Sequence, residues 1–420
     1  MTLVEVIVAF ALFAVMSTAV LASLVAAVQL TREDRARMVA SDLAARELEI
    51  TRDAFASVLR GPDTVTTNLV VNANPLPGGT AGQPLVANGV PYTVSRTAQW
   101  AAVGSAAAST CDEGTTTELA YLRVHVEVSW PELGDRPPVA METVMTPPKG
   151  TYSTLTGHIG LKVVDALGGP VSGVTVTART TAGATKTGVT AEDGCALLAF
   201  LTPGAWSITV SRAGYVTPSG DPTGATTASV VAGQLWRGSI SYDAAATLQL
   251  DLETAAGHAL PPTPAMPLVL GNSALLPSGR RIVAGTGATR TVANLWPYPS
   301  GYQVWAGQCL DNDPQYTGED REDPIDVPAG RTTHGRVRLA PLVVRGAAGA
   351  DVSAVLAPPA TSDANCPTSP RPTISLGRLG ADGTLATSLP YGVWDVSSVG
   401  GATGDVVLRQ GEPVGEVTLS

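Results

Sequence analysis

From Met1 to Arg60 the chain contains neither glycine nor proline, and Gly61-Pro62 follows at once. This is the strongest constraint the sequence places on the fold. Glycine and proline end or kink helices, and a Gly-Pro pair just beyond a long run without either is a stop signal. The run predicts one α-helix over residues 1–61, about 90 Å long at 1.5 Å per residue. No small globular domain needs a helix of that length.

The two halves of this helix call for different surroundings. Val6 to Leu30 carry no charged residue, a stretch long enough to cross a bilayer. Thr31 to Arg60 read as amphipathic, with Val39, Leu43, Leu48, Ile50, Phe55 and Leu59 recurring among charges. The first half therefore wants lipid or other helices, and the second a globular head. Glu5 is the one acid of the apolar opening "MTLVEVIVAFALF", where an unpaired carboxylate is costly.

Beyond the helix the composition changes. The chain's 44 glycines and 32 prolines cluster in the last two thirds, among many Val and Thr, which reads as β-structure with many turns. Between 62 and 149 a small antiparallel head is expected from "VPYTVSRTAQW", "LAYLRVHVEVSW" and "PVAMETVMTP". In the second of these, Leu122, Val124, Val126 and Val128 form one face, and Arg123, His125, Glu127 and Ser129 the other. From Gly150 onward three stretches repeat: "LTPGAWSITVS", "LWPYPSGYQVWAG" and "LPYGVWDVSSVGG". Each joins a Pro/Gly turn to an aromatic and an alternating strand, at a spacing of about one small sandwich domain. The expected fold class is α+β: a long N-terminal helix (1–61, with 1–30 its hydrophobic half), a β-rich head (62–149) and three all-β sandwiches in series (150–243, 244–340, 341–420).

Charge and motif content exclude several functions. The formal net charge is -10 and no basic stripe exists, so nucleic acid is not an expected partner. His125, His158, His258 and His334 are scattered, and there is no nucleophile elbow, P-loop or zinc motif, so no enzyme and no cofactor are expected. "GTGATR" at Gly285 reads as a turn. The acidic stretch "CLDNDPQYTGEDREDP" offers Asp311, Asp313, Glu319 and Asp320 as weak calcium candidates, although the spacing misses the EF-hand pattern.

The opening "MTLVEVIVAFALFAVMSTAV" resembles the start of a mature type IV pilin or type II secretion pseudopilin, through Met1, Thr2, Leu3, Glu5 and the apolar run behind them. The resemblance covers about 150 residues. It implies removal of a leader before Met1 by a prepilin peptidase, methylation of the Met1 amine, and storage in the inner or cytoplasmic membrane. Pilus assembly machinery would then build an extracellular, homo-oligomeric helical filament. Within it, Glu5 of one subunit would meet the Met1 amine of another, a pair that fixes register more than it adds stability. Major pilins of this family often carry Gly and Pro in mid-helix, but here Ala14 and Ala22 occupy those positions, so an unbroken helix is expected. That departure leaves a minor or tip pseudopilin of a secretion or DNA-uptake pilus as the alternative, beside a membrane-anchored β-sandwich binding protein.

The segment "GLKVVDALGGPVSGVTVTA" through "LTPGAWSITVSRAGY" resembles the transthyretin-like sandwiches of carboxypeptidase regulatory domains and of Gram-positive surface proteins. The resemblance raises the expectation of a Lys–Asn isopeptide staple. Lys162 sits on the appropriate strand, but no asparagine lies between Gly150 and Asp243, so none is expected. Cysteines are expected to take that role. Four cysteines allow three pairings, and the preferred one is Cys111 with Cys195, tying head to first sandwich, and Cys309 with Cys366, tying the last two together.

Overall fold

The structure, a computed structural model, describes residues 3–57, 65, 69–102, 111–112, 120–146, 155–276, 278–358 and 363–420. Met1 and Leu59 lie outside the described residues, and of the Glu5 side chain nothing is described. The chain divides into two compact units. The first comprises Met1–Lys162, Ser172–Ile208 and Thr226–Gly238; the second comprises Val163–Val171, Thr209–Ala225 and Ser239–Ser420.

In the first unit the helix runs without a break from Leu3 to Ala56. Ala14 to Ala22 are helical throughout, as the absence of Gly and Pro requires. Its second half lies on an antiparallel sheet in which strand Val90–Ala102 pairs with Ala120–Ser129, and that strand with Val139–Met145. Leu122, Val124, Val126 and Val128 are fully buried, each paired across the sheet with Trp100, Ala98, Arg96 and Val94 respectively. The helix stripe that meets this face is Ala40, Leu43, Ala44, Glu47, Thr51 and Phe55, all buried and spaced at helical intervals. It differs from the expected stripe. Val39, Leu48 and Ile50 are only half-buried, Val39 and Leu48 packing at the edge of the same core.

Apart from Tyr215–Val216, which pairs with Asp243–Ala244, the strands of residues 157–241 form two sheets. One has the order Leu235–Ser241, Gly157–Val164, Cys195–Leu201. The other has the order Thr223–Val230, Gly204–Ser211, Thr175–Arg179, Thr185–Val189.

The second unit contains two further sets of paired sheets. In residues 246–338, strand Ala246–Glu253 lies between Thr289–Leu295, antiparallel, and Thr332–Arg338, parallel. In residues 340–418, strand Ala340–Arg345 lies in the same way between Thr384–Leu389, antiparallel, and Gly415–Thr418, parallel. In all three sets, then, the opening strand is the centre of a three-stranded sheet. The short Tyr215–Val216 strand aside, the companion sheets of the first and last sets also have one order, with the sixth strand beside the fifth, then the second and third. The middle set lacks that sixth strand. Gln303–Ala306 ends its sheet, and residues 307–331 follow as two short 3-10 turns and a single bridge from Tyr302 to Ile325.

The recurring sequence motif has one structural role. The leucine that opens each copy is buried: Leu201, Leu295 and Leu389. The aromatic that follows donates to the carbonyl of the residue just after that leucine. Trp206 Nε1 reaches Thr202 O at 2.9 Å and Trp394 Nε1 reaches Pro390 O at 2.9 Å. In the middle copy, which is two residues longer, the Tyr302 hydroxyl reaches Trp296 O at 2.8 Å. Burial pushes the Tyr302 phenol pKa far up, so the group stays a donor. Each aromatic thus fills the core and satisfies a turn carbonyl in one act.

Candidate assembly surface

A helix that exposes a wide apolar face cannot remain in water at low cost; it needs a partner or a lipid phase. The helix ahead of the head meets that description. Leu12, Phe13, Met16, Val20, Leu21, Leu24, Val28 and Leu30 are all more than half exposed, and at about 100° per residue they spread over one half of the helix circumference. Contacts with the head begin at Glu33, which pairs with Arg136, and at Ala36, whose carbonyl accepts from the Tyr92 hydroxyl at 3.4 Å. Arg37 Nη2 donates to Pro137 O at 3.3 Å. Among the described residues no helix is long and apolar enough to cross a membrane. The crossing expected of Val6–Leu30 is therefore without support among them.

The helix is held to the head by a buried polar cluster. Asn74 Nδ2 lies 3.0 Å from both carboxylate oxygens of Glu47, and the Arg96 Nε lies 3.7 Å from Glu47 Oε1. Arg96 Nη1 donates to Thr51 Oγ1 at 2.8 Å, while Arg46 donates to the carbonyls of Asn74 and Pro75, both at 2.9 Å. Glu47 and Arg96 are almost wholly buried. Each places a charge in a series that carries no other charge, Glu47 on the helix stripe and Arg96 among Tyr92, Val94, Ala98 and Trp100. Sequence reading missed the pair, although both interruptions are visible in the sequence.

Within the same unit the head is joined to the strands that follow it. Phe55 of the helix, Trp100 of the head and Phe200 form a chain of rings, with centroids 6.2 Å and 5.0 Å apart, the second contact edge-to-face. Phe200 adopts a left-handed φ of 60° and donates its amide to His158 Nδ1 at 3.2 Å. Desolvation lowers the His158 pKa below its usual value, which keeps that nitrogen an acceptor. Cys111 and Cys195 are bonded, with Cα atoms 5.7 Å apart, and Lys162 pairs with Asp112 beside them.

In the second unit Cys309 and Cys366 are bonded across a separation of 57 residues. The segment in place of the missing strand carries this joint. Asp363 accepts from Arg280 Nη2 at 2.6 Å and from the Leu310 amide at 2.9 Å, and Asn312 Nδ2 donates to Tyr391 O at 2.7 Å. Of the weak calcium candidates Asp311, Asp313, Glu319 and Asp320, the structure engages Asp313 with an arginine. Both Asp313 carboxylate oxygens are taken by Arg321, and Oδ1 also accepts the Gln315 amide. Among the described residues no three His, Cys, Asp or Glu side chains gather to hold a metal. "GTGATR" is a turn wrapped around the buried Arg290, whose guanidinium donates to Gly287 O and Pro264 O.

No protein-family model matches the chain. No curated protein matches it either. Among solved structures it is similar to the Bacillus anthracis TIE protein, at 12% identity over 84% of this chain and 74% of that one, with a TM-score of 0.22. It is also similar to BcpA, the major pilin subunit of Bacillus cereus, at 10% identity over 62% of this chain and 98% of that one, TM-score 0.21. The full-length major pilin SpaD from Corynebacterium diphtheriae gives 10% identity over 63% and 97%, TM-score 0.20. At these scores the likeness carries no argument about what this chain does.

Proposed function

We propose that the chain is a structural subunit of an extracellular type IV pilus-like filament, assembled by packing of its N-terminal helix against other subunits. The observation that carries this reading is the wide face of exposed apolar side chains from Leu12 to Leu30 on a helix whose second half is fixed to a head. A surface of this kind is stable only when covered, and neighbouring helices of the same sort would cover it through close contacts at small residues. Glu5 would pair with the methylated Met1 amine of the neighbour, and the β domains would face outward for spacing or adhesion. Before assembly the same helix half would be held in the membrane. The reading stands on the helix and on the opening motif, with no support drawn from the structural neighbours. The unbroken helix from Leu3 to Ala56 favours a second form of it, a minor or tip subunit.

The test is Glu5→Ala in the native cell, with filaments examined by electron microscopy and membranes by immunoblot. Loss of the chain from filaments, with the protein retained in the membrane fraction, supports assembly through Glu5. Unchanged incorporation refutes it.

A further inference from the structure

The first unit carries a cleft that the helix surface does not use. It measures about 310 Å³ and is lined by Ser229, Val231, Gln234, Leu235, Trp236 and Arg237. It lies where strand Thr223–Val230 ends and strand Leu235–Ser241 begins. Leu235 is buried in the core, so the alternation of a strand sends Trp236 to the opposite face. There the indole is only half-buried.

Gly238 sets the position of that ring. It follows Trp236 by two residues and so shares its face. A Cβ at Gly238 would stand 2.2 Å from Trp236 Cη2 and 2.8 Å from Cζ3. Gly238 is not among the positive-φ glycines. Its missing side chain therefore serves the ring and not the backbone. The result is an indole laid along the strand, with an open cleft beside it.

Apart from Val231 and Leu235, the rest of the lining is polar. It offers a hydroxyl, an amide that both donates and accepts, and a guanidinium, with no carboxylate. A pyranose ring matches this set: its C–H face is apolar and stacks on an aromatic, while its hydroxyl rim needs donors and acceptors. A polyproline peptide matches less well, since its recognition uses a groove lined by several aromatics. We infer that this cleft binds a saccharide, with one sugar ring on Trp236 and its hydroxyls held by Ser229 and Gln234. The volume is at the lower end for small-ligand sites, which suits one sugar ring of a longer chain. The site stands independently of the filament reading.

The experiment is saturation-transfer NMR on the full chain in a sugar-free zwitterionic detergent, with cellotriose, N-acetylchitotriose and trigalacturonic acid as probes. At least one probe is expected to bind saturably, with a Kd of about 1 mM or tighter. Trp236→Ala and Gly238→Ala should each weaken binding about tenfold or more, the second by displacing the ring alone. Thermal melts and the intact Cys111–Cys195 bond check folding; if Trp236→Ala does not fold, Gly238→Ala and Gln234→Ala decide. Three results overturn the proposal: no saturable binding of any probe, binding unchanged in the variants that fold, or binding of a decaproline peptide with all three sugars silent.

Discussion

Asn74 Nδ2 stands 3.0 Å from each carboxylate oxygen of Glu47, so one amide from the head holds a buried acid of the long helix. Arg96 approaches the same acid from the sheet, with its side chain 10% exposed and that of Glu47 5% exposed. Two charges in such a place are stable only together, because either alone is a stranded ion. The pair sets the register of the helix on the sheet. Sliding the helix so that Leu43 or Ala44 took the place of Glu47 would leave Arg96 against an apolar residue and Glu47 without its partner.

Glu47→Ala is therefore expected to loosen the helix from the head at a cost of about 3–5 kcal/mol. The double change Glu47→Met with Arg96→Met should recover most of that loss. Amide hydrogen exchange over residues 40–56 reads the effect directly. Equal protection in the single variant and the parent would show that the pair holds nothing.

The His158 contact makes the first unit sensitive to acid. Burial lowers the folded pKa below the ordinary 6.5, so the unfolded chain binds the proton more readily. Stability from this group is complete above 6.5 and is lost as pH falls from there towards the folded pKa. Protonation also removes the acceptor for the Phe200 amide. Melting curves from about pH 7.5 to about pH 4.5 should fall more steeply for the parent than for His158→Gln. Parallel curves would exclude His158 as the source.

The bond between Cys309 and Cys366 closes a long loop in the second unit. Chain entropy alone gives about 4 kcal/mol for a loop of this size. Cys309→Ser with Cys366→Ser should lower the melting temperature of that unit. Because Asp363 and Asn312 hold the same joint through hydrogen bonds, the double variant should still fold. Complete unfolding at room temperature would show that those bonds do not hold the joint alone.

On the exposed helix, Leu24→Asp should leave the head untouched, since Leu24 is 59% exposed and lies ahead of the first head contact. Assembly should be lost, because the charge would have to be buried between helices. Circular dichroism and electron microscopy together check both halves. Filaments containing normal amounts of the Leu24→Asp chain would remove this surface from assembly.

Much of this protein was legible in its sequence because the determining rules are local. Absence of Gly and Pro over residues 3–56 is enough for one helix, since each backbone bond in it closes within four residues. Alternation in "LAYLRVHVEVSW" is enough for a strand with a buried face, since side chains alternate regardless of partners. The three Pro/Gly–aromatic motifs were visible for the same reason, each aromatic reaching back only four to six residues. Tertiary structure decided what depends on approach in space. It buried Ala40 and Ala44 fully and left Val39 and Leu48 half-buried at the edge of the same core. It replaced one strand of the middle repeat with a segment that serves the Cys309–Cys366 joint. It also brought Glu47 to Arg96. Each of those charges is the only charge in its series when the sequence is read alone. They became a pair only when the fold set two distant errors of pattern, 49 positions apart by their numbers, beside each other where water could not reach.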